Sequence, residues 1–314
     1  MGVGNATLNP VSVFTDGDVP VVKEKRSNGY LLIWPAFLYL LAFLIVYPFG
    51  YNVYQSFFQY SMLTDTSFFV GVKNYIGLFT SPEYLNSIWV GLIVAFFSLA
   101  IETLLGLSIA LVLNQNFKGK ALARTLLILP LGTIPVINGY LFNILFFPDA
   151  SVVDHIFNLL GIVHGSINWL QDPIKARIVI IAMDVWQWTS FMIIMLLAGL
   201  SSIPESYYEL AKLDNLSSWK TFWRITLPKI KFPLALAMLI RAMDLLKFFD
   251  GVFALTKGGP QSATETVSFY IYRIGFKAFN VGYASAGSII VWAIIWVMSF
   301  IVISKVFSAK EKTA

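Results

Sequence analysis

The stretch "SSIPESYYELAKLDNLSSWKTFWRITLPKIK" occupies residues 201–231. It holds Lys212, Lys220, Arg224, Lys229 and Lys231 together with Glu205, Glu209 and Asp214. Its flanks are of another kind: "VIIAMDVWQWTSFMIIMLLAGL" (179–200) precedes it and "FPLALAMLIRAMDLL" (232–246) follows. A polar segment between two apolar ones is the pattern of a loop joining membrane spans. Which side of the membrane it lies on then fixes the topology of the whole chain.

The composition agrees. Only 12% of the 314 residues are charged and 57% are hydrophobic, whereas a soluble domain carries about 25% charged residues. The mean hydropathy is +0.73, which places the chain in the membrane class. With no cysteine there is no disulfide framework, thiol nucleophile or thiolate metal site. The formal charge of +5 is read against the membrane, not as affinity for nucleic acid.

A spanning helix needs about 20 mostly apolar residues. Six segments qualify: 30–57, 88–113, 122–147, 174–200, 232–255 and 282–307. With both termini placed in the cytoplasm, 14 of the 22 Lys and Arg fall inside, six fall outside, and Arg241 and Lys247 lie within a span. That asymmetry follows the positive-inside rule. The expected fold is therefore an all-α membrane protein with six transmembrane helices. It divides into a polar cytoplasmic extension (1–29), a membrane domain (30–307) and a short cytoplasmic tail (308–314). The 201–231 loop, between spans four and five, is cytoplasmic. On the outer side, "VVDHIFNLLGI" (152–162) predicts a short interfacial helix.

Within the loop, Ser202-Ile-Pro-Glu205 fits a capping box with a proline in the first turn, predicting a helix to about Asp214. Asn215 stands where a left-handed C-terminal residue is needed. Ser217 or Ser218 can cap a second helix carrying Trp219, Phe222 and Trp223, and Pro228 is expected to close the unit. A helix–break–helix with an aromatic face suits docking into a partner's groove. An amphipathic interfacial loop, basic because it is inside, fits the same residues.

Charges inside a bilayer mark functional candidates. Glu102, Asp184, Arg241, Asp244 and Lys247 are such charges. Arg241, Asp244 and Lys247 are three apart and alternate in sign on one helix face, so an ion-pair ladder that pins the helices is one reading and a cargo site is another. In "AMDVWQWTSF" (182–191), Asp184, Trp186, Gln187, Trp188 and Phe191 bring aromatic rings together with hydrogen-bonding groups. Sugars suit such a mixture, since their C–H faces lie on rings while their hydroxyls seek polar partners. Plain packing of the rings against neighbouring spans is the alternative.

The segment "YYELAKLDNLSSWKTFWRITLP" (207–228) resembles the EAA signature of binding-protein-dependent ABC importer permeases. Glu209, Ala211, Asp214, Phe222, Ile225, Leu227 and Pro228 match; Leu210 replaces the middle Ala and Asn215 replaces the Gly. "RTLLILPLGTIP" (124–135), "GSINWL" (165–170), "FFDGVFALTKGGPQSATET" (248–266) and "IGFKAFNVGYASAGS" (274–288) further resemble permeases of the maltose-type carbohydrate importers. The resemblance implies that Tyr208, Glu209, Ala211, Asp214, Asn215, Phe222 and Pro228 couple to a cytoplasmic ATPase. It also implies a mid-membrane sugar site at Asp184, Trp186, Gln187, Trp188, Phe191, Arg241, Asp244, Leu245 and Phe248. The implied partners are a second, homologous permease subunit, two cytoplasmic ATP-binding subunits and an external solute-binding protein, with a carbohydrate as cargo. The implied location is the bacterial inner membrane. Because a buried Arg can pair with a carboxylate, Arg241 raises the further expectation that the cargo is acidic, and neutralisation of Arg241 by Asp184 or Asp244 is the alternative.

There is no GxxxxGK[ST] loop, so ATP and Mg belong to the partner ATPases and no cofactor is expected on this chain. His155 and His164 alone make a poor metal site, and no nucleophile–base pair stands out. An ion-coupled secondary sugar transporter and a membrane enzyme acting on lipid-linked sugar remain as rivals. Neither accounts for the EAA-like loop.

Overall fold

The computed structural model describes residues 30–148, 151–162 and 164–311. The expected extension 1–29 and the last residues, 312–314, lie outside them. Contacts divide the chain into 1–49 and 50–314, with the first helical run crossing the division. That run comprises α1 (Tyr30–Leu40), a π-helical turn (Leu41–Val46) and α2 (Tyr47–Ser56). Its span Trp34–Ser56 is apolar enough to cross a membrane and has no buried residue in its most apolar stretch. The π turn has a local cause. Tyr47 donates its backbone N–H to the Ala42 carbonyl, five residues back, and Pro48 follows. A proline has no N–H to donate and its ring crowds the carbonyl four residues back, so a widened turn accommodates it.

The second unit opens with a feature outside the all-α expectation. Strands β1 (Phe58–Ser61) and β2 (Thr66–Phe69) form an antiparallel hairpin, with Phe58 opposite Phe69. Phe, Tyr, Thr and Ser at strand spacing favour extended chain over helix once the span has ended. The hairpin packs on the start of the last helix, where a Cβ at Gly282 would run into the Phe58 carbonyl. Gly282 thus serves close strand–helix contact.

A short α3 (Lys73–Thr80) leads into α4 (Pro82–Asn114), capped by the Ser81 hydroxyl. It lies against α8 (Pro173–Ser201), whose N-terminus is capped by Asp172 accepting from the backbone N–H groups of Ile174 and Lys175. Those bonds hold the Asp172 carboxyl below its ordinary range, that from Lys175 most strongly. The two helices approach closely where Gly106 faces the Met192 side chain. Val90, Val94, Val179, Ile180 and Met183 fill the interface toward the N-terminal ends of the two helices, and Ala110, Leu113, Ile193, Leu196 and Leu200 fill it toward their C-terminal ends.

Two expected spans are broken. Residues 122–147 form α5 (Lys120–Ile128), a 3-10 turn (Leu129–Gly132) and α6 (Pro135–Leu145), bent by 97°. Pro130 and Pro135 each open a new helical segment, the position where a missing N–H costs least. Residues 232–255 form α11 (Leu227–Leu246) and, after a break at Lys247–Phe249, α12 (Asp250–Leu255). Gly139 of α6 lies so close to Ala254 of α12 that a Cβ there would fall 2.5 Å from the Ala254 Cβ.

The short helix expected near 152–162 forms as α7 (Val152–Leu159), and the last long apolar helix is α14 (Val281–Glu311). Between α12 and α14 lie α13 (Val267–Tyr272) and a further π turn, Arg273–Lys277. Among the described residues, four helices are long and apolar enough to cross a membrane, or five if the bent pair counts as one span.

Candidate functional site

Three carboxylates converge on one guanidinium. Arg241 of α11 is 1% exposed. Its Nε and Nη2 donate to the two carboxylate oxygens of Glu102 on α4, each at 2.8 Å. Nη2 also donates to Asp184 of α8 at 2.9 Å, and Nη1 to Asp244 one turn further along α11 at 2.8 Å. The guanidinium lies 4.5 Å from the Trp188 ring centre, in cation–π range. One cation thus ties three helices together. Asp244, whose side chain is 43% exposed, holds its other oxygen 3.8 Å from Lys247. The sequence reading identified these charges and the Arg241–Asp244 spacing. The pairing of Arg241 with Glu102, 139 residues away, had no local signal.

The other residues expected at a sugar site divide. Trp188 packs edge-on to Phe191 and faces the guanidinium. Trp186, two residues away and therefore turned roughly 200° around the helix, lies instead against Phe142 of α6. It borders a 590 Å³ groove lined by α4 and α8 residues, among them Ile93, Phe97, Ile101 and Ile181. The two tryptophans do not make a single platform. Leu245 is buried, and Phe248 is half-buried at the α11–α12 break, its carbonyl accepting from the Thr266 hydroxyl.

Gln187 is committed elsewhere. Its amide nitrogen donates to the Thr133 carbonyl at 2.7 Å, and its amide oxygen accepts from Asn138 at 3.1 Å. The 97° bend frees carbonyls that a continuous helix would satisfy, and a buried carbonyl without a donor is costly. Gln187 of α8 supplies the donor, and Asn138 of α6 completes the link. Asn138 was missed from sequence; an Asn in an apolar segment three residues after Pro135 was the available signal.

The 201–231 loop is built largely as its residues predict. Helix α9 (Ser206–Leu213) ends in a Schellman motif. Leu216 donates to the Ala211 carbonyl, Asn215 donates to the Lys212 carbonyl, and Asn215 has φ +50°. Ser217 caps α10 (Ser218–Thr221) by accepting from the Lys220 N–H.

Two local expectations change. Ser202 does not cap α9; its hydroxyl donates to the Gly199 carbonyl and it ends α8 instead. Nor does Pro228 close the unit, because helix continues from α10 through a π turn (Phe222–Thr226) into α11. Leu227 donates five residues back to Phe222, the same accommodation as before Pro48.

The loop's two faces differ. Ala211 is buried, and the Tyr208 hydroxyl lies 3.3 Å from that of Thr226. On the opposite side Leu210 is 59% and Leu213 78% exposed, with Glu209 and Asp214 also exposed. Trp219, Phe222 and Trp223 contact one another. Lys229 sits 4.0 Å from the Tyr207 ring centre and draws the Tyr207 pKa down by hydrogen bonding and by its charge.

At the other end of the helices, the "TKGGP" turn is tied in place. Thr264 donates to the Gly259 carbonyl, Asn86 to Ser262 and Arg177 to Ala263. Arg273 bridges Glu265 at 2.7 Å and Glu83 at 2.8 Å. Burial opposes its charge, but the two carboxylates outweigh burial and raise its pKa. Among the described residues, no group of three or more His, Asp or Glu side chains is arranged to hold a metal ion.

Comparison with known proteins gives this geometry a family. Residues 102–304 match the model described as the inner membrane component of binding-protein-dependent transport systems. The chain is 34% identical to the trehalose/maltose transport system permease protein MalF of Thermococcus litoralis, over 89% of this chain and 93% of that one. It is 33% identical to the trehalose transport system permease protein SugA of Mycobacterium tuberculosis, over 91% of this chain and 90% of that one. The fold is similar to a chain of a bacterial ABC transporter that imports the acidic polysaccharide alginate, with a TM-score of 0.77 at 24% identity, covering 89% and 94% of the two chains. The protein therefore belongs to the family of inner membrane components of binding-protein-dependent transport systems.

Proposed function

We propose that this chain is one of two permease subunits of an ATP-driven, binding-protein-dependent importer of di- or oligosaccharides. It is a transport subunit and not an enzyme, and hydrolysis of ATP with Mg is the work of two cytoplasmic partner subunits. In this reading the chain crosses the inner membrane six times with both termini inside, the bent 120–145 pair and the α11–α12 pair counting as spans three and five. The observation that carries the coupling role is the bare face of α9. Leu210 and Leu213 stand exposed on a helix locked at its end by the Asn215 turn. Exposed leucines on a rigid cytoplasmic helix fit an apolar cleft in an ATPase, with Glu209, Asp214, Phe222 and Pro228 on the same unit.

The sugar site is proposed around Trp188, Phe191, Asp244 and Phe248, the members with a ring or carboxylate not fully enclosed. Asp184 and Arg241 support them from behind, Gln187 holds the bend, and Leu245 packs beneath; Trp186 borders the adjacent groove. Such a site acts in transport only if it binds cargo differently in its outward- and inward-open states. The three-helix tie at Arg241 makes any rearrangement of α4, α8 and α11 a re-pairing of charges. A carboxylate on an acidic cargo would take the place of Asp244, the one hydrogen-bonded partner of Arg241 that reaches solvent.

The test is stimulation of ATPase in the assembled complex by the cognate binding protein loaded with neutral or acidic oligosaccharides in turn. The expected result is stimulation by some of these sugars and none by the unloaded protein. A complex indifferent to every sugar tested would count against the cargo class. Equal acidic-sugar stimulation with wild-type chain and Arg241→Ala would remove the carboxylate reading alone.

A further inference from the structure

A second groove, 700 Å³, lies between the inner half of α4 and the membrane-facing side of the 201–231 loop. Its α4 wall is mostly leucine. Leu104, Leu107 and Leu111 line it, Ser108 between them spends its hydroxyl on the Leu104 carbonyl, and Gln115 stands just past the helix end. Its other wall carries Lys212 and Trp219. Lys212 makes no ion pair among the described residues, and Trp219 is an interface-seeking ring that stands exposed. We propose that this groove holds an anionic phospholipid of the inner leaflet, its acyl chain along the α4 leucines and its headgroup at Lys212.

Three observations converge on a lipid. From residue 104 to residue 115 a helix rises about 16 Å, and one leaflet of the hydrocarbon core is about 15 Å thick. The apolar-to-polar order along α4 is the order within a phospholipid. The one charged residue lining the groove is a cation without a counter-ion, and basic pockets between helices on the cytoplasmic side attract anionic headgroups. The opposite face of α9, with Leu210 and Leu213, stays free for an ATPase. The lipid would therefore lie beneath the coupling helix without competing for its docking face.

The inference rests on the loop being cytoplasmic, as in the importer reading, but its test needs neither cargo nor ATP. The assembled complex is placed in phosphatidylcholine nanodiscs. These contain trace photoactivatable phosphatidylglycerol or, in parallel, a phosphatidylcholine analogue with the same tail, and labelled peptides are mapped. Phosphatidylglycerol is expected to label 104–115 and 212–221 about fivefold more than phosphatidylcholine does, the advantage of one lysine near an anionic headgroup. Lys212→Glu is expected to abolish that preference, and Ser108→Trp, which fills the groove from α4, to abolish labelling by either lipid. Equal labelling by the two lipids in the wild type would overturn the proposal. So would a groove closed to lipid by a helix of the partner permease, or a preference that survives Lys212→Glu. A groove that labels as expected in a complex that imports nothing would leave the lipid site standing and remove the importer reading instead.

Discussion

Removing either end of the Glu102–Arg241 pair should destabilise the helix assembly, and by unequal amounts. Breaking a buried pair by deleting one partner costs about 3–5 kcal/mol. Glu102→Ala leaves Arg241 with Asp184 and Asp244, so the cation stays compensated and the loss falls near 3 kcal/mol. Arg241→Ala leaves Glu102 and Asp184 buried with no cation, since Lys247 reaches only Asp244, and the loss falls nearer 5 kcal/mol.

In the double variant, removal of Glu102 relieves the repulsion that removal of Arg241 creates. The double variant should therefore be more stable than the sum of the single losses predicts, by about 2 kcal/mol. The assay is the thermal unfolding midpoint of the assembled complex in nanodiscs. At about 2–4 °C per kcal/mol, Glu102→Ala should lower the midpoint by about 6–12 °C. Additive losses, or a larger effect from Glu102→Ala than from Arg241→Ala, would refute the view that one guanidinium is the common tie of α4, α8 and α11.

Gln187→Leu should lower the same midpoint by orphaning the Thr133 carbonyl, at about 1–3 kcal/mol for a buried group, and by leaving the Asn138 amide with only its 3.5 Å bond to the Met183 carbonyl. Hydrogen exchange should rise first in 129–138, around the bend. Gly139→Ala should cost about 1–3 kcal/mol by overpacking α6 against α12, read as a lower midpoint with unchanged expression; Gly132→Ala, with nothing within 4 Å of the new Cβ, should not. Asn215→Val should lose about 1–2 kcal/mol at its left-handed position and uncouple sugar-stimulated ATPase, whereas Asn215→Gly should retain both stability and coupling.

Hydropathy located the long straight helices within a few residues: α4 and α8 lie where 88–113 and 174–200 were expected, α4 beginning earlier, at Pro82. Local chemistry was equally legible at the 201–231 loop, where Asn215 and Ser217 do what their residue types favour in sequence. What the sequence concealed depends on distant partners. Pro130 and Pro135 signalled disturbance in the third span. The size of the bend also depends on a carbonyl captured by Gln187, 54 residues on. The break after Leu246 is joined to a return of α12 onto α6 that begins with Gly139 and Ala254, more than a hundred residues apart. Arg241 was legible as a buried charge and its Asp244 contact as a three-residue spacing, while Glu102 and Asp184 became its partners only through packing. The hairpin was hidden because Phe58 and Tyr60 continue the aromatic composition of the span before them.

On the importer reading, this chain moves sugar only as part of an ATP-driven assembly. The direct measurement is uptake of labelled trehalose or maltose into proteoliposomes. One set contains the chain, its partner permease, the ATPases and the sugar-loaded binding protein; the other contains the chain alone under an imposed proton or sodium gradient. Accumulation is expected in the full assembly only when ATP and binding protein are both present, and none by the single chain. Accumulation by the single chain driven by the ion gradient would contradict it.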